Sequence, residues 1–159
     1  MRKPFPVEYE FFMALSIGAV APDFIVKDTQ GNTVKLADYA GKTVVLYFYP
    51  KDDTPGCTKE ACSFRDNYAQ YTTKGITVFG VSMDNEASHQ AFTAKFTLPF
   101  PLLADVDGAI VTAYDVAGDR NGVKYAKRVT YVIESGKISQ VYETVNTETH
   151  ASDILAAIG

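Results

Sequence analysis

Between Lys42 and Pro50 the chain carries one unbroken apolar and β-branched run, Thr43 to Tyr49. A strand with one wet face would alternate polar and apolar residues. An unbroken run instead suits a central strand buried on both faces. Such a strand needs a layer of other elements on each side, so the fold has to be built around a sheet.

The flanking segments supply those layers. "DFIVKD", "TQGN" and "TVKL" read as a hairpin turning at Gly31-Asn32. After the loop "PKDDTPG", apolar residues recur at Cys57, Ala61, Phe64, Tyr68 and Tyr71, one stripe of a helix that Gly75 ends. "ITVFGVS" is a second buried strand and "NEASHQAFTAKF" a helix capped by Asn85. "FPLLAD" is a short extended piece and "DGAIVTAYDV" a short helix. "RVTYVIE" and "KISQVYET" pair across Ser135-Gly136, and "TETHASDILAAI" closes the chain as a helix. Strands alternating with helices, then a hairpin and a last helix, give an α/β fold. In order it is the thioredoxin-like arrangement, a mixed central sheet flanked by helices, with an added N-terminal β-hairpin.

The length of 159 residues suits one domain. Fifteen basic against 19 acidic residues, with no run of Lys and Arg, leave no electrostatic footprint for nucleic acid. No apolar stretch approaches the roughly 18 residues a membrane span requires. Near the N-terminus, Arg2 and Lys3 precede an apolar stretch from Phe11 and a cleavage-like Ala19-Val20-Ala21, but Glu8 and Glu10 oppose a signal peptide. The expectation is a cytoplasmic protein with an extension at 1–17, or a natural start at Met13, and a domain at 18–159.

Both cysteines, Cys57 and Cys62, lie in "TPGCTKEAC". The thiolate is the reactive form, and a helix N-terminus favours it. Cys57 follows Thr54-Pro55-Gly56, a helix start in which Pro suits the first turn and Gly lets the backbone approach closely. Thr54 can turn its hydroxyl into the same pocket. The alternative is that Cys57 is a small core residue. Five helical residues separate two Cα atoms by roughly 8.7 Å, beyond the roughly 4.4–6.8 Å a disulfide spans. If Cys57 and Cys62 bond, the first turns of the helix must unwind. Cys62 could equally be an unrelated thiol beside Arg65 and Asp66. A zinc site is disfavoured, because His89 and His150 are distant in sequence and expected at the surface. The carboxylates of "KDDTPG" and "ADVDG" read as loop and cap residues.

"PKDDTPGCTKEAC", Pro50 to Cys62, resembles the active-site signature Pro-x-x-x-Thr-x-x-Cys of peroxiredoxins. The variant is that of the bacterioferritin-comigratory or Q-type group, in which a second cysteine follows five residues later. "GAVAPDF", "GVSMDNEASHQAFTAKFTLPFPLLAD" and "RVTYVIESGKI" match the group in order, over nearly everything after residue 17. The resemblance implies a peroxidase in which Cys57 attacks the peroxide and Cys62 resolves the sulfenic acid as an intramolecular disulfide. Thr54 would hydrogen-bond the peroxide, Arg128 would stabilise thiolate and departing oxygen, and Pro50 and Gly56 would shape the pocket. By pattern alone Arg128 reads as a solvated charge at a strand edge. A thioredoxin or similar dithiol would be the reductant, with no cofactor or metal, and resolution within one chain suits a monomer. A general thiol-disulfide oxidoreductase and a peroxide-responsive redox sensor are the alternatives. "AGDRNGVKYAKR" lacks a tryptophan that many of the group carry there.

Overall fold

A computed structural model describes residues 14–158. Thr43–Phe48 (β3) is the middle strand of a five-stranded sheet, as its unbroken run requires. On one side lie Ile76–Ser82 (β4), parallel to β3, and Leu102–Ala104 (β5), parallel to β4; on the other lie Val129–Glu134 (β8), antiparallel to β3, and Lys137–Tyr142 (β9), antiparallel to β8. The sheet is mixed, in the order β5-β4-β3-β8-β9. Ile25–Lys27 (β1) and Thr33–Lys35 (β2) form the N-terminal hairpin, turning through Gly31.

The period of two along β3 feeds two cores. Val44, Leu46 and Phe48 point to a layer containing Phe24, Leu36, Tyr114 and Tyr131. That layer is roofed by the hairpin and by the short helix Ala109–Ala113, α4. Val45, Tyr47 and Tyr49 point to the opposite layer with Cys57, Phe64, Tyr71, Phe92 and Ile154. This second layer is made by helices Pro55–Asp66 (α1), Tyr68–Thr73 (α2), Glu86–Phe96 (α3) and His150–Ile158 (α5). The Tyr47 and Phe64 rings stack at 4.5 Å between centroids, joining β3 to α1.

Three expectations change. The single helix after the first cysteine is two, broken at Asn67, where φ −106° and ψ 6° leave the helical region. Asn67 Nδ2 donates to the Ser63 carbonyl at 2.8 Å, a side-chain bond competing with the backbone ladder. "AGDRNGVKYA", to which the sequence pattern assigns no element, forms a second hairpin, Ala117–Arg120 (β6) and Val123–Ala126 (β7). Asn121 and Gly122 both have positive φ, as a two-residue primed turn demands. Both histidines are buried rather than at the surface. They sit on the inner faces of α3 and α5, beside Phe92 and Ile154 respectively.

The expected extension falls mostly outside the described residues, which begin at 14. Its Leu15 N–H reaches the Tyr131 hydroxyl at 2.9 Å, and Val20 bridges Lys137 at the sheet edge. Among the described residues no helix is long and apolar enough to cross a membrane.

Candidate active site

The site sits where β3 hands the chain to α1. Pro50 ends the strand, the loop to Thr54 turns back, and Pro55 opens the helix from an extended Thr54 N-cap with φ −100° and ψ 157°. Proline at the first turn costs no hydrogen bond, since that N–H would be unpaired anyway. Cys57 therefore stands in the first turn, buried against the second core layer. Its sulfur lies at the positive end of the helix.

Arg128 comes from the other direction, at the entry to β8, and its Nη2 donates to Cys57 Sγ at 3.4 Å. The side chain is about one-quarter exposed rather than a free edge charge. Gly56 makes room for it: a Cβ there would come within 3.0 Å of Arg128 Nη2. Arg128 is fixed on its other prong by Glu60, whose Oε1 accepts from Nη1 at 2.7 Å. This bridge from Cys57 through Arg128 to Glu60 is the electrostatic heart of the site.

Glu60, a residue that the peroxiredoxin-like signature leaves unspecified, completes the site. It is fully buried, one turn beyond Cys57 and on the same face. Its signal was the step of three from Cys57 and of four to Phe64, which places it on the apolar stripe. Burial pushes its carboxyl up to about 7, with Arg128 pulling the other way. His150 Nε2 lies 3.8 Å from Glu60 Oε2, and burial drives that imidazole down to about 4.

Thr54 is half-buried at the mouth, and its hydroxyl donates to the Lys51 carbonyl at 2.9 Å. Its proton is thereby engaged, so the group offers lone pairs to a donor at the mouth. Pro50 and Thr54 also line a cleft of about 570 Å³ with Lys51, Arg120, Val123 and Tyr125. The unexpected hairpin β6–β7 thus supplies the outer wall. Cys62 lies on the same helix, half-buried, and burial raises its thiol above the usual value. The two cysteines are not bonded.

The loop itself has a second, separate anchor. Asp52, expected as a loop carboxylate, is buried. Its Oδ1 accepts from Tyr49 Oη at 2.5 Å, and its Oδ2 from Ser88 Oγ at 2.8 Å and the His89 ring at 2.7 Å. Its N–H donates to Asp84 Oδ2 at 2.9 Å, which also accepts from Ser82 Oγ. His89 Nε2 faces the Leu103 carbonyl at 3.0 Å. Asp52, Asp84 and His89 lie close enough to suggest a cation site. Their ligand atoms are already committed to this hydrogen-bond network.

A buried sulfur at a helix N-terminus, with a guanidinium on it and a cleft beside its N-cap Thr54, is equipped to attack an electrophile whose leaving group departs with negative charge. The profile of the AhpC/TSA family matches residues 17–141. Peroxiredoxin Bcp of Bacillus subtilis is 40% identical over 151 residues, covering 92% of this chain and 96% of that one. The crystal structure of a Xylella fastidiosa PrxQ carrying a cysteine-to-serine substitution superposes with a TM-score of 0.85 at 31% identity, covering 91% and 95% of the two chains. The Xanthomonas campestris bacterioferritin comigratory protein, solved in a study of its alkyl peroxide reduction, gives 0.82 at 35% identity, over 91% and 95%.

Proposed function

The chain belongs to the AhpC/TSA family, in its Bcp and Q group of peroxiredoxins, and is a thiol peroxidase; from that premise we propose how its residues divide the work. Cys57 is the peroxidatic sulfur. Its thiolate attacks the terminal oxygen of the peroxide, the O–O bond breaks, and the departing oxygen leaves as hydroxide or alkoxide and takes a proton. Arg128 is the donor placed where that charge develops, and its 3.4 Å approach to Cys57 Sγ is the observation that carries this reading. Thr54 accepts from the hydroperoxide O–H, Gly56 gives the guanidinium its room, and Pro50 keeps one wall of the entrance dry.

Cys62 resolves. The Cys57 sulfenic acid and the Cys62 thiol condense to a disulfide and water, and a thioredoxin-type dithiol restores both thiols by exchange. The cleft with its Val123 and Tyr125 wall suits organic hydroperoxides as well as hydrogen peroxide. Resolution within one chain needs no second subunit. The proposal is therefore a monomer of domain 18–159 with an extension at 1–17, acting in the cytoplasm without nucleic-acid or membrane partners.

Rapid mixing with hydrogen peroxide tests it, read by intact mass for wild type, Cys57→Ser and Cys62→Ser. The expected products are a disulfide in wild type, sulfenic or over-oxidised Cys57 without Cys62, and no fast reaction without Cys57. Poor turnover with thioredoxin and its reductase, despite fast oxidation, would favour a sensor instead.

A further inference from the structure

Joining Cys57 to Cys62 forces the intervening chain to change path, and Glu60 stands in the middle of it. Glu60 is also the residue of that segment most deeply tied to the rest of the protein. Its Oε1 is held by Arg128, while its Oε2 has no hydrogen-bond partner among the described residues and faces His150 at 3.8 Å. His150 is fixed by Thr130 Oγ1 at 2.8 Å. The next residue, Ala151, donates its N–H to Ser63 Oγ at 3.1 Å and accepts from Tyr71 Oη at 2.7 Å. The C-terminal helix α5 is thus seated against the turns of α1 that must open.

We propose that Glu60, held in the pocket between Arg128 and His150, is the latch on the reactive helix, and that its withdrawal gates the Cys57–Cys62 disulfide. The proposal rests on the assignment of those two cysteines above. In the gated step the Cys62 thiolate attacks Cys57 Sγ, the S–O bond breaks, and hydroxide leaves and takes a proton to become water. The sulfenic sulfur is reduced, Cys62 is oxidised, and no outside reagent enters.

A buried carboxylic acid that moves into water carries a proton signature. In the pocket Glu60 keeps its proton up to about pH 7; in water it ionises from its usual 4.5. The closed helix therefore binds more protons than the open one between those values. Opening gains as pH rises through that window, by at most about tenfold per pH unit, and the dependence ends above about 7. The other groups facing Glu60 do not change charge there. Arg128 from β8 stays cationic, His150 from α5 is neutral above about 4, and burial holds the Tyr47 hydroxyl of β3 protonated. Cys57 is a sulfenic acid in this step. Cys62 must lose its own proton to attack, and burial keeps that ionisation above the window.

Quenched flow from pH 5 to 8 resolves the oxidation and disulfide phases by mass. In wild type the logarithm of the disulfide rate should climb with a slope near two below about pH 7 and near one above it, and Glu60→Gln should show a slope near one throughout. A merely structural Glu60 would shift the rate but not the slope. Ser63→Ala, which loosens the seat of α5, should form the disulfide at least about fivefold faster at every pH, with oxidation within about twofold of wild type. A slope of one in wild type, an unchanged slope in Glu60→Gln, or a disulfide rate within twofold in Ser63→Ala overturns the latch. Absence of the oxidation phase would instead defeat the cysteine assignment. The latch is then decided by amide exchange over 57–62 in the reduced protein, whose protection should fall from pH 5 to 7 in wild type and stay level in Glu60→Gln; level protection in both overturns it.

Discussion

Two buried histidine–carboxylate pairs bracket Cys57, and they are built to opposite standards. Asp52–His89 closes at 2.7 Å with both carboxylate oxygens and both ring nitrogens engaged. Glu60–His150 stands open at 3.8 Å with one carboxylate oxygen unmatched among the described residues. A fully paired buried network is rigid, because every group lost would leave another stranded; a half-paired one is held loosely enough to release. The first pair pins to α3 the loop that leads to Cys57, and the second holds the part of α1 that the proposed Cys57–Cys62 disulfide would unwind. The comparison teaches that one short segment can be fixed at its root and releasable at its tip.

The sharpest way to break this contrast is to cut each pair in turn. Asp52→Ala strands a buried imidazole and two hydroxyls and should lower unfolding stability by about 3–5 kcal/mol in urea melts. Glu60→Gln, which puts a neutral amide where a carboxyl keeps its proton up to about pH 7 in a pocket already short of partners, should cost about 1 kcal/mol or less. Equal losses would erase the difference between the two pairs.

Arg128 is the one group shared by Cys57 and Glu60. Arg128→Met should slow Cys57 oxidation by about a hundredfold in stopped-flow assays, the usual scale for removing one fixed donor. Wild-type speed would detach the second pair from the chemistry.

Protons sharpen the comparison further. Glu60, raised to about 7, binds its proton more tightly folded than unfolded, so its contribution is present at low pH and lost as pH rises from about 4.5 to 7. His150, lowered to about 4, does the reverse: its contribution is full above about 6.5 and lost as pH falls toward 4. Between about 4.5 and 6.5 the two oppose each other in wild type. Glu60→Gln should make stability rise with pH there, and His150→Gln should make it fall, each by at most about 1.4 kcal/mol per pH unit. Parallel profiles for the two variants would contradict the assignment.

The smallest effect separates two tyrosines of one strand face. Tyr49 gives its hydroxyl to Asp52, whereas the buried Tyr47 hydroxyl has no partner among the described residues. Tyr49→Phe should cost about 1–2 kcal/mol and Tyr47→Phe about nothing.

The frame of this molecule was legible because its strands and caps are local. The unbroken run at Thr43–Tyr49, the Asn85 cap accepting from Ser88 N–H, and the turn at Ser135-Gly136 each depend on a few neighbours. The thioredoxin-like order followed from them. The second hairpin was signalled by Asn121-Gly122 but hidden by polar, non-alternating flanks such as Gly118-Asp119-Arg120. The histidines read as surface residues because each follows a polar residue, Ser88 or Thr149, in a helix start rich in polar side chains. Their apolar partners three and four residues on, Phe92 for His89 and Ile154 for His150, carried the opposite message. Cys57 and its helix start could be read from residue types, while the role given to Arg128 came from family likeness, since its meeting with Cys57 spans 71 residues. Glu60 is obscured by its charge, which residue type assigns to solvent although its spacing from Cys57 and Phe64 puts it on the buried stripe.

The central claim is that Cys57 and Cys62, unbonded on a wound helix, become partners when peroxide arrives. Peptide mapping by mass after one equivalent of hydrogen peroxide addresses it most directly. The account predicts a single cross-linked species containing both cysteines, formed after a sulfenic acid on Cys57. A stable sulfenic or sulfinic Cys57 beside an untouched Cys62 thiol would contradict it.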